Sequence, residues 1–249
     1  MLTTTISRAA ALTAATLLFA ACEQTDGATA ATGSAEGTDA PVSADPDSNW
    51  VRTVTKTPEG GYLMGNPDAR VKLIEFASLA CPGCARFHAD SMSELKGEYV
   101  ASGDVSYELR TFVLNQPDYV ATAIARCQTP QAFFALADAF FSNQRDWLAG
   151  FQNLQEADIE RLSTMNPTDA MVEFGRMGGV AEFVRSRGIP AAKYEECVRD
   201  EDTLAEVEAI RKSGIEEYNV TGTPNFVLNG EPIDGFSWEE IKAEINAAL

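Results

Sequence analysis

The chain has 249 residues, 45% of them apolar, with 37 acidic against 19 basic side chains and a net charge of -18. That length allows one large domain or two small ones around a real core. The acidic excess argues against nucleic acid as a partner and gives solubility through self-repulsion, while charge alone decides nothing about basic substrates.

Residues 1–21 carry one charge, Arg8, followed by an apolar stretch from Ala9 to Ala21 that is short for a permanent membrane-spanning helix. The segment reads as a secretion signal. It ends Leu18-Phe19-Ala20-Ala21-Cys22, which resembles the lipobox of bacterial lipoproteins, cleaved before a cysteine that takes the lipid. Phe19 stands where that pattern usually has Leu, so simple cleavage and an uncleaved anchor are the alternatives to lipidation at Cys22. Residues 22–48 are rich in Ala, Thr, Gly, Ser, Pro and acid, without Lys or Arg, and cannot offset their ordering entropy by burial. They are expected to be a disordered tether with an average span on the order of 30 Å.

Turn chemistry at Gly65-Asn66-Pro67-Asp68-Ala69 precedes Val71-Lys72-Leu73-Ile74-Glu75-Phe76, a partly β-branched apolar run that predicts a buried strand leading into two cysteines. From Cys84 to Tyr99 the apolar positions Phe87, Met92, Leu95 and Tyr99 have helical spacing, and Gly103 closes the segment. Val105 to Val113 alternates as a second strand, completing strand, helix, strand, the unit of a parallel crossover. Residues 118–200 read as helices, with Phe133, Phe134, Leu136, Phe140 and Phe141 as an apolar packing face. A helix over Thr203–Tyr218 leads to Thr221-Gly222-Thr223-Pro224, a strand at Asn225–Leu228, a turn at Asn229-Gly230, a strand at Glu231–Ile233 and a helix at Trp238–Ala248. The fold class is therefore α/β, a small sheet domain over 49–117 and 201–249 interrupted by a helical insertion over 118–200.

Cys81-Pro82-Gly83-Cys84 carries the chemistry. Two cysteines separated by two residues at a helix start provide an attacking thiolate and a resolving thiol that can close a small ring. Pro82 is tolerated because the first helical turn has no amide partner to lose. Unpaired amides at the helix start favour the Cys81 thiolate, and such motifs bring the pKa down to roughly 3.5–7.5. A zinc site would need two further ligands, and the chain has one histidine, His88, and no second pair of this kind. Covalent haem would need His directly after Cys84, where Ala85 stands. No metal and no cofactor are implied. Glu75 lies in the apolar run six residues before Cys81; if buried, its pKa would rise and it could take the Cys84 proton, the alternative being a strand-end acid that reaches water.

Glu75-Phe76, the Cys81-Pro82-Gly83-Cys84 pair, a helical insertion and Gly222-Thr223-Pro224 before a late strand together resemble the DsbA-like thioredoxin-fold family over residues 62–249. The resemblance implies a thioredoxin-like fold with an inserted helical domain and thiol-disulfide oxidoreductase activity. It makes Cys81 the attacking cysteine, Cys84 the resolving thiol, Glu75 the proton relay and Pro224 a cis proline facing the cysteines. A cis bond there would turn the Thr223 carbonyl and amide outward to pair with an extended substrate. Enzymes of this family often carry His after the Pro; Gly83 offers no side chain to the thiolate.

Cys127 and Cys197 fall in the insertion and are expected to pair in an oxidising compartment, the alternative being two separately buried thiols. His88, four residues after Cys84, is expected to pack or face solvent, because thiol exchange needs no histidine base. The sequence thus describes an envelope thiol-disulfide oxidoreductase, periplasmic and lipid-tethered. It acts on cysteine-containing envelope proteins with a membrane redox partner, and forms disulfides rather than reducing or isomerising them. The rivals are a reductase or isomerase of the same fold and a non-catalytic chaperone whose cysteines are locked.

Overall fold

The computed structural model describes residues 49–249. The signal segment, Cys22 and the tether up to residue 48 lie outside the described residues.

Six strands form one sheet: β1 (Val54–Lys56), β2 (Tyr62–Met64), β3 (Val71–Ala77), β4 (Val105–Thr111), β5 (Asn225–Leu228) and β6 (Glu231–Ile233), in the order β1-β2-β4-β3-β5-β6. β3 and β4 are parallel, with Val71 opposite Val105 and Ala77 opposite Thr111, and every other pairing is antiparallel. The parallel pair is joined by α1 (Pro82–Glu94), as the crossover pattern requires. Its central position buries β3 on one face throughout and on the other at Phe76, with Ile74 half-buried and Lys72 exposed at the start, which is why the strand reads as a nearly continuous apolar run.

α1 and α10 (Trp238–Ala248) cover one face, with the Phe87 ring 4.6 Å from Phe226 and 6.3 Å from Trp238. α9 (Glu201–Tyr218) covers the other, closing Ile210 over Phe76, Phe112, Val220 and Val227. Gly214 permits that approach, since a Cβ there would lie 3.0 Å from the Phe76 ring. Between β4 and α9 the chain forms α2 (Gln116–Arg126), α3 (Pro130–Ser142), α4 (Gln144–Gln152), α5 (Glu156–Ser163), α6 (Pro167–Met177), α7 (Val180–Arg185) and α8 (Ala191–Val198). Asn115 and Thr129 cap α2 and α3 through side-chain oxygens, each followed by proline in the first turn. Phe133 of α3 stacks on Tyr62 of β2 at 3.8 Å, and the Tyr62 hydroxyl donates to the Arg126 carbonyl, so the inserted helices pack directly on the sheet. A disulfide joins Cys127 to Cys197, their Cα atoms 5.5 Å apart.

Some boundaries differ from the expected ones. α1 opens at the cysteine pair as expected, with Cys81 as its cap and Pro82 in its first turn, but beyond Glu94 it widens into a π-helical segment, Leu95–Val100. β4 ends at Thr111 rather than Val113, because its partner β3 ends at Ala77, whose carbonyl accepts the last ladder bond from the Phe112 amide. β4 is also buried on both faces, not one: Ser106, Glu108 and Arg110 on its polar side are covered, with Glu108 held by Thr57 and Arg110.

Candidate active site

β3 delivers the chain to the site through Ser78-Leu79-Ala80, a loop with buried anchors. The Asp118 carboxylate accepts from the Leu79 amide and the Leu114 amide, both at 2.9 Å. Gln144 donates to the Leu79 carbonyl at 2.8 Å and to the Cys81 carbonyl at 2.9 Å. Cys81 is thereby fixed as the cap residue of α1, its carbonyl accepting the Ala85 amide, with Pro82 in the first turn. Burial would raise the Asp118 pKa, and the hydrogen bonds from Ser78 and the loop amides hold it back only in part, leaving it at about 6.

The two cysteines are free thiols in different surroundings: Cys81 is partly exposed and Cys84 fully buried. The Cys84 thiol beside Cys81 stabilises the Cys81 thiolate. The Thr223 hydroxyl and the Cys84 and Gly83 amides add to this, so the Cys81 pKa falls to about 5 despite partial burial. Burial, the proton shared with Cys81 and the nearby charge of Glu75 push the Cys84 thiol well above its ordinary range. One sulfur is therefore a thiolate at neutral pH, and the other stays protonated until its proton is removed.

The Thr223-Pro224 peptide is cis, and Cys81 Sγ lies 3.2 Å from the Thr223 carbonyl oxygen, a hydrogen bond that Cys81 can donate only while its thiol is protonated. Gly83 faces the same proline; a Cβ on it would lie 3.1 Å from Pro224 Cδ and 3.6 Å from Cys81 Sγ, so a side chain here would crowd the motif against the loop. On the other side of the motif, Pro82 borders a cleft of about 400 Å³ whose wall includes Arg86, Asn143 and Arg145. Among the described residues no group of three or more His, Cys, Asp or Glu side chains is placed to hold a metal ion.

Glu75 is completely buried in β3 rather than reaching water. Its Oε2 accepts from the Tyr107 hydroxyl at 2.5 Å and lies 3.4 Å from His88 Nε2. His88 does not face solvent: it is 5% exposed, stacked on Phe141 at 3.9 Å, with Nδ1 3.7 Å from Asp138 Oδ1. Burial works against a charge on its ring, and the carboxylates of Glu75 and Asp138 outweigh burial, so His88 titrates above its ordinary range. Asp118, Tyr107, Asp138 and Gln144 escape sequence reasoning. Tyr107 carries the one available signal, a polar tip in an apolar strand pattern, but its partner follows only from the β3–β4 register that sets it diagonal to Glu75.

A thioredoxin family model, Thioredoxin_4, matches residues 57–247. The chain belongs to the DsbA-like thioredoxin family. The crystal structure of a protein-disulfide isomerase from Novosphingobium aromaticivorans superposes with a TM-score of 0.70 and 30% identity, covering 74% of this chain and 95% of that one. Wolbachia pipientis alpha-DsbA1 shares the fold, with a TM-score of 0.58 and 20% identity, covering 77% of this chain and 92% of that one. A provisionally named protein-disulfide oxidoreductase of Rickettsia bellii is 25% identical over 210 residues, 82% of this chain and 70% of its own. This DsbA-like protein is a thiol-disulfide oxidoreductase, and its thioredoxin-like fold is the one the family shares.

Proposed function

We propose that the protein forms disulfides in cysteine-containing envelope proteins, with Cys81 as the exchanging sulfur, Cys84 as the resolving thiol and Glu75 as the proton relay for Cys84, giving a proton when Cys84 leaves and taking one when it attacks. A substrate thiolate attacks Cys81 in the Cys81–Cys84 disulfide, and Cys84 leaves and is protonated. A second substrate thiolate then displaces Cys81, so the substrate leaves oxidised and the pair remains as the dithiol. Thr223 and Pro224 form the wall along which an extended substrate lies beside Cys81.

The observation that carries the oxidising direction is the Cys81 pKa of about 5. A stabilised thiolate stabilises the reduced pair, which makes the disulfide easier to give away. This value lies between thioredoxin at about 7 and DsbA at about 3.5. A periplasmic location, a lipid anchor at Cys22 and a membrane partner that reoxidises the dithiol complete the proposal; among the described residues no helix is long and apolar enough to cross a membrane. A second reading, disulfide isomerisation, is favoured by the likeness to the Novosphingobium protein-disulfide isomerase.

Equilibrating the purified protein in glutathione buffers of graded potential, with thiol trapping of Cys81 and Cys84, separates the two. A midpoint well above the glutathione range supports the oxidase, and one near or below it would transfer the assignment to the isomerase or reductase.

A further inference from the structure

Cys84 has a proton problem. When the pair closes, the Cys84 sulfur attacks the Cys81 sulfur of a mixed disulfide, the bond to the partner sulfur breaks, and that sulfur departs with the electron pair as a thiolate. The Cys84 proton must go elsewhere. Both Cys84 and Glu75 have no solvent exposure, so a proton handed to Glu75 is still inside the protein.

The groups around Glu75 are arranged in one line toward the surface. The Tyr107 hydroxyl lies between the Glu75 carboxylate and His88, 2.5 Å from Oε2 and 3.2 Å from His88 Nε2. His88 has Nε2 3.4 Å from Glu75 and Nδ1 on the opposite side of its ring, 3.7 Å from Asp138 Oδ1. That Nδ1 is buried and has no hydrogen-bond partner in the dithiol form. The Asp138 side chain is 39% exposed, and its other oxygen is held at 2.6 Å by Lys96 of the π-helical segment. The titratable groups facing the imidazole are thus Glu75 from β3, Tyr107 from β4 and Asp138 from α3, with Lys96 behind Asp138 and Cys84 one turn earlier on α1 itself. Phe141 stacks on the ring and fixes its plane.

We propose that His88 and Asp138 form the proton exit of the redox pair, carrying the Cys84 proton from Glu75 through the two imidazole nitrogens to a carboxylate in contact with water. The same line runs inward when Cys84 leaves as a thiolate. An imidazole suits this place because it binds a proton on one nitrogen while releasing one from the other. His88 and Asp138 are positioning residues, since neither touches a reacting sulfur. The proposal rests on the dithiol exchange assigned above.

The test is rapid-quench mass spectrometry of the full chain in its dithiol form, with oxidised glutathione as the probe, from pH 5 to pH 8. It resolves attack by Cys81, which forms the glutathione adduct, from closure by Cys84, which releases glutathione. In His88→Phe and Asp138→Asn, closure is expected to slow by about tenfold or more and to lose its wild-type pH profile, while adduct formation keeps its rate. Wild-type closure in a folded His88→Phe protein overturns the exit, as does a slowing shared equally by both steps, which marks a structural role. If His88→Phe does not fold, Asp138→Asn decides on the same criteria. A wild-type chain that forms no adduct would overturn the exchange reading, and the exit with it.

Discussion

The Asp118 carboxylate reaches across from α2 to accept the Leu79 amide at 2.9 Å, two residues before Cys81, so a buried acid holds the loop that presents the redox pair. Its pKa is raised from 3.8 to about 6, meaning the folded state binds a proton more tightly than the unfolded chain. The stability this group contributes is therefore fully present below about pH 4 and is lost as pH rises through about 6. Asp118→Asn removes the titration. The difference in unfolding free energy between variant and wild type should change by up to about 3 kcal/mol between pH 4 and pH 7. Denaturant melts at both pH values check this; a constant difference would show that Asp118 does not titrate there.

Cys81 owes its low pKa first to the neighbouring thiol of Cys84. Alkylation of Cys81 by iodoacetamide should therefore follow a titration centred at about 5 in the reduced protein. Cys84→Ser retains a hydroxyl donor and should keep the curve low, whereas Cys84→Ala removes the donor and should move it up toward the ordinary thiol range. Identical curves for the two variants would shift the credit to the helix amides.

Glu75, Cys81, Cys84 and Pro224 are legible in the sequence because each carries its meaning locally: an acid inside an apolar run, two cysteines at redox spacing, a proline after Gly-Thr before a strand. Tyr107, Asp138 and Asp118 are not, because β4, α3 and α2 deliver them separately and only strand register and helix packing bring them to the site. The misread edges have the same cause. β1 and β2 are three residues each, too short to show a period, and exist because β2 pairs with β4. The polar alternation of β4 suggests a solvent face, but the Thr57–Gly61 turn folds over Glu108 and covers it.

The Cys127–Cys197 disulfide ties the end of α2 to α8 across 70 residues of sequence. Removing the link frees the unfolded chain, and a loop of this size predicts a loss of about 4 kcal/mol. The double substitution Cys127→Ala with Cys197→Ala should lower the denaturant midpoint accordingly, yet leave the Cys81 alkylation curve where it is, since neither residue touches the redox pair. A shift of that curve would reveal coupling between the inserted helices and the site.

Gln144, the first residue of α4, donates to the Leu79 and Cys81 carbonyls through one buried amide nitrogen. Two substitutions separate what that amide does. Gln144→Leu removes the donor without adding charge; the Cys81 carbonyl keeps its helical partner Ala85, so the loss falls on Leu79 and should cost about 1–3 kcal/mol. The Cys81 titration should barely move. Gln144→Glu also loses the donor, but places a carboxylate beside the Cys81 carbonyl, where its field opposes the thiolate. Its alkylation curve should rise toward higher pH and its disulfide should become a weaker oxidant, because the reduced pair is no longer stabilised to the same degree. Equal Cys81 curves for the Leu and Glu variants would mean that Gln144 acts on the site through loop geometry alone.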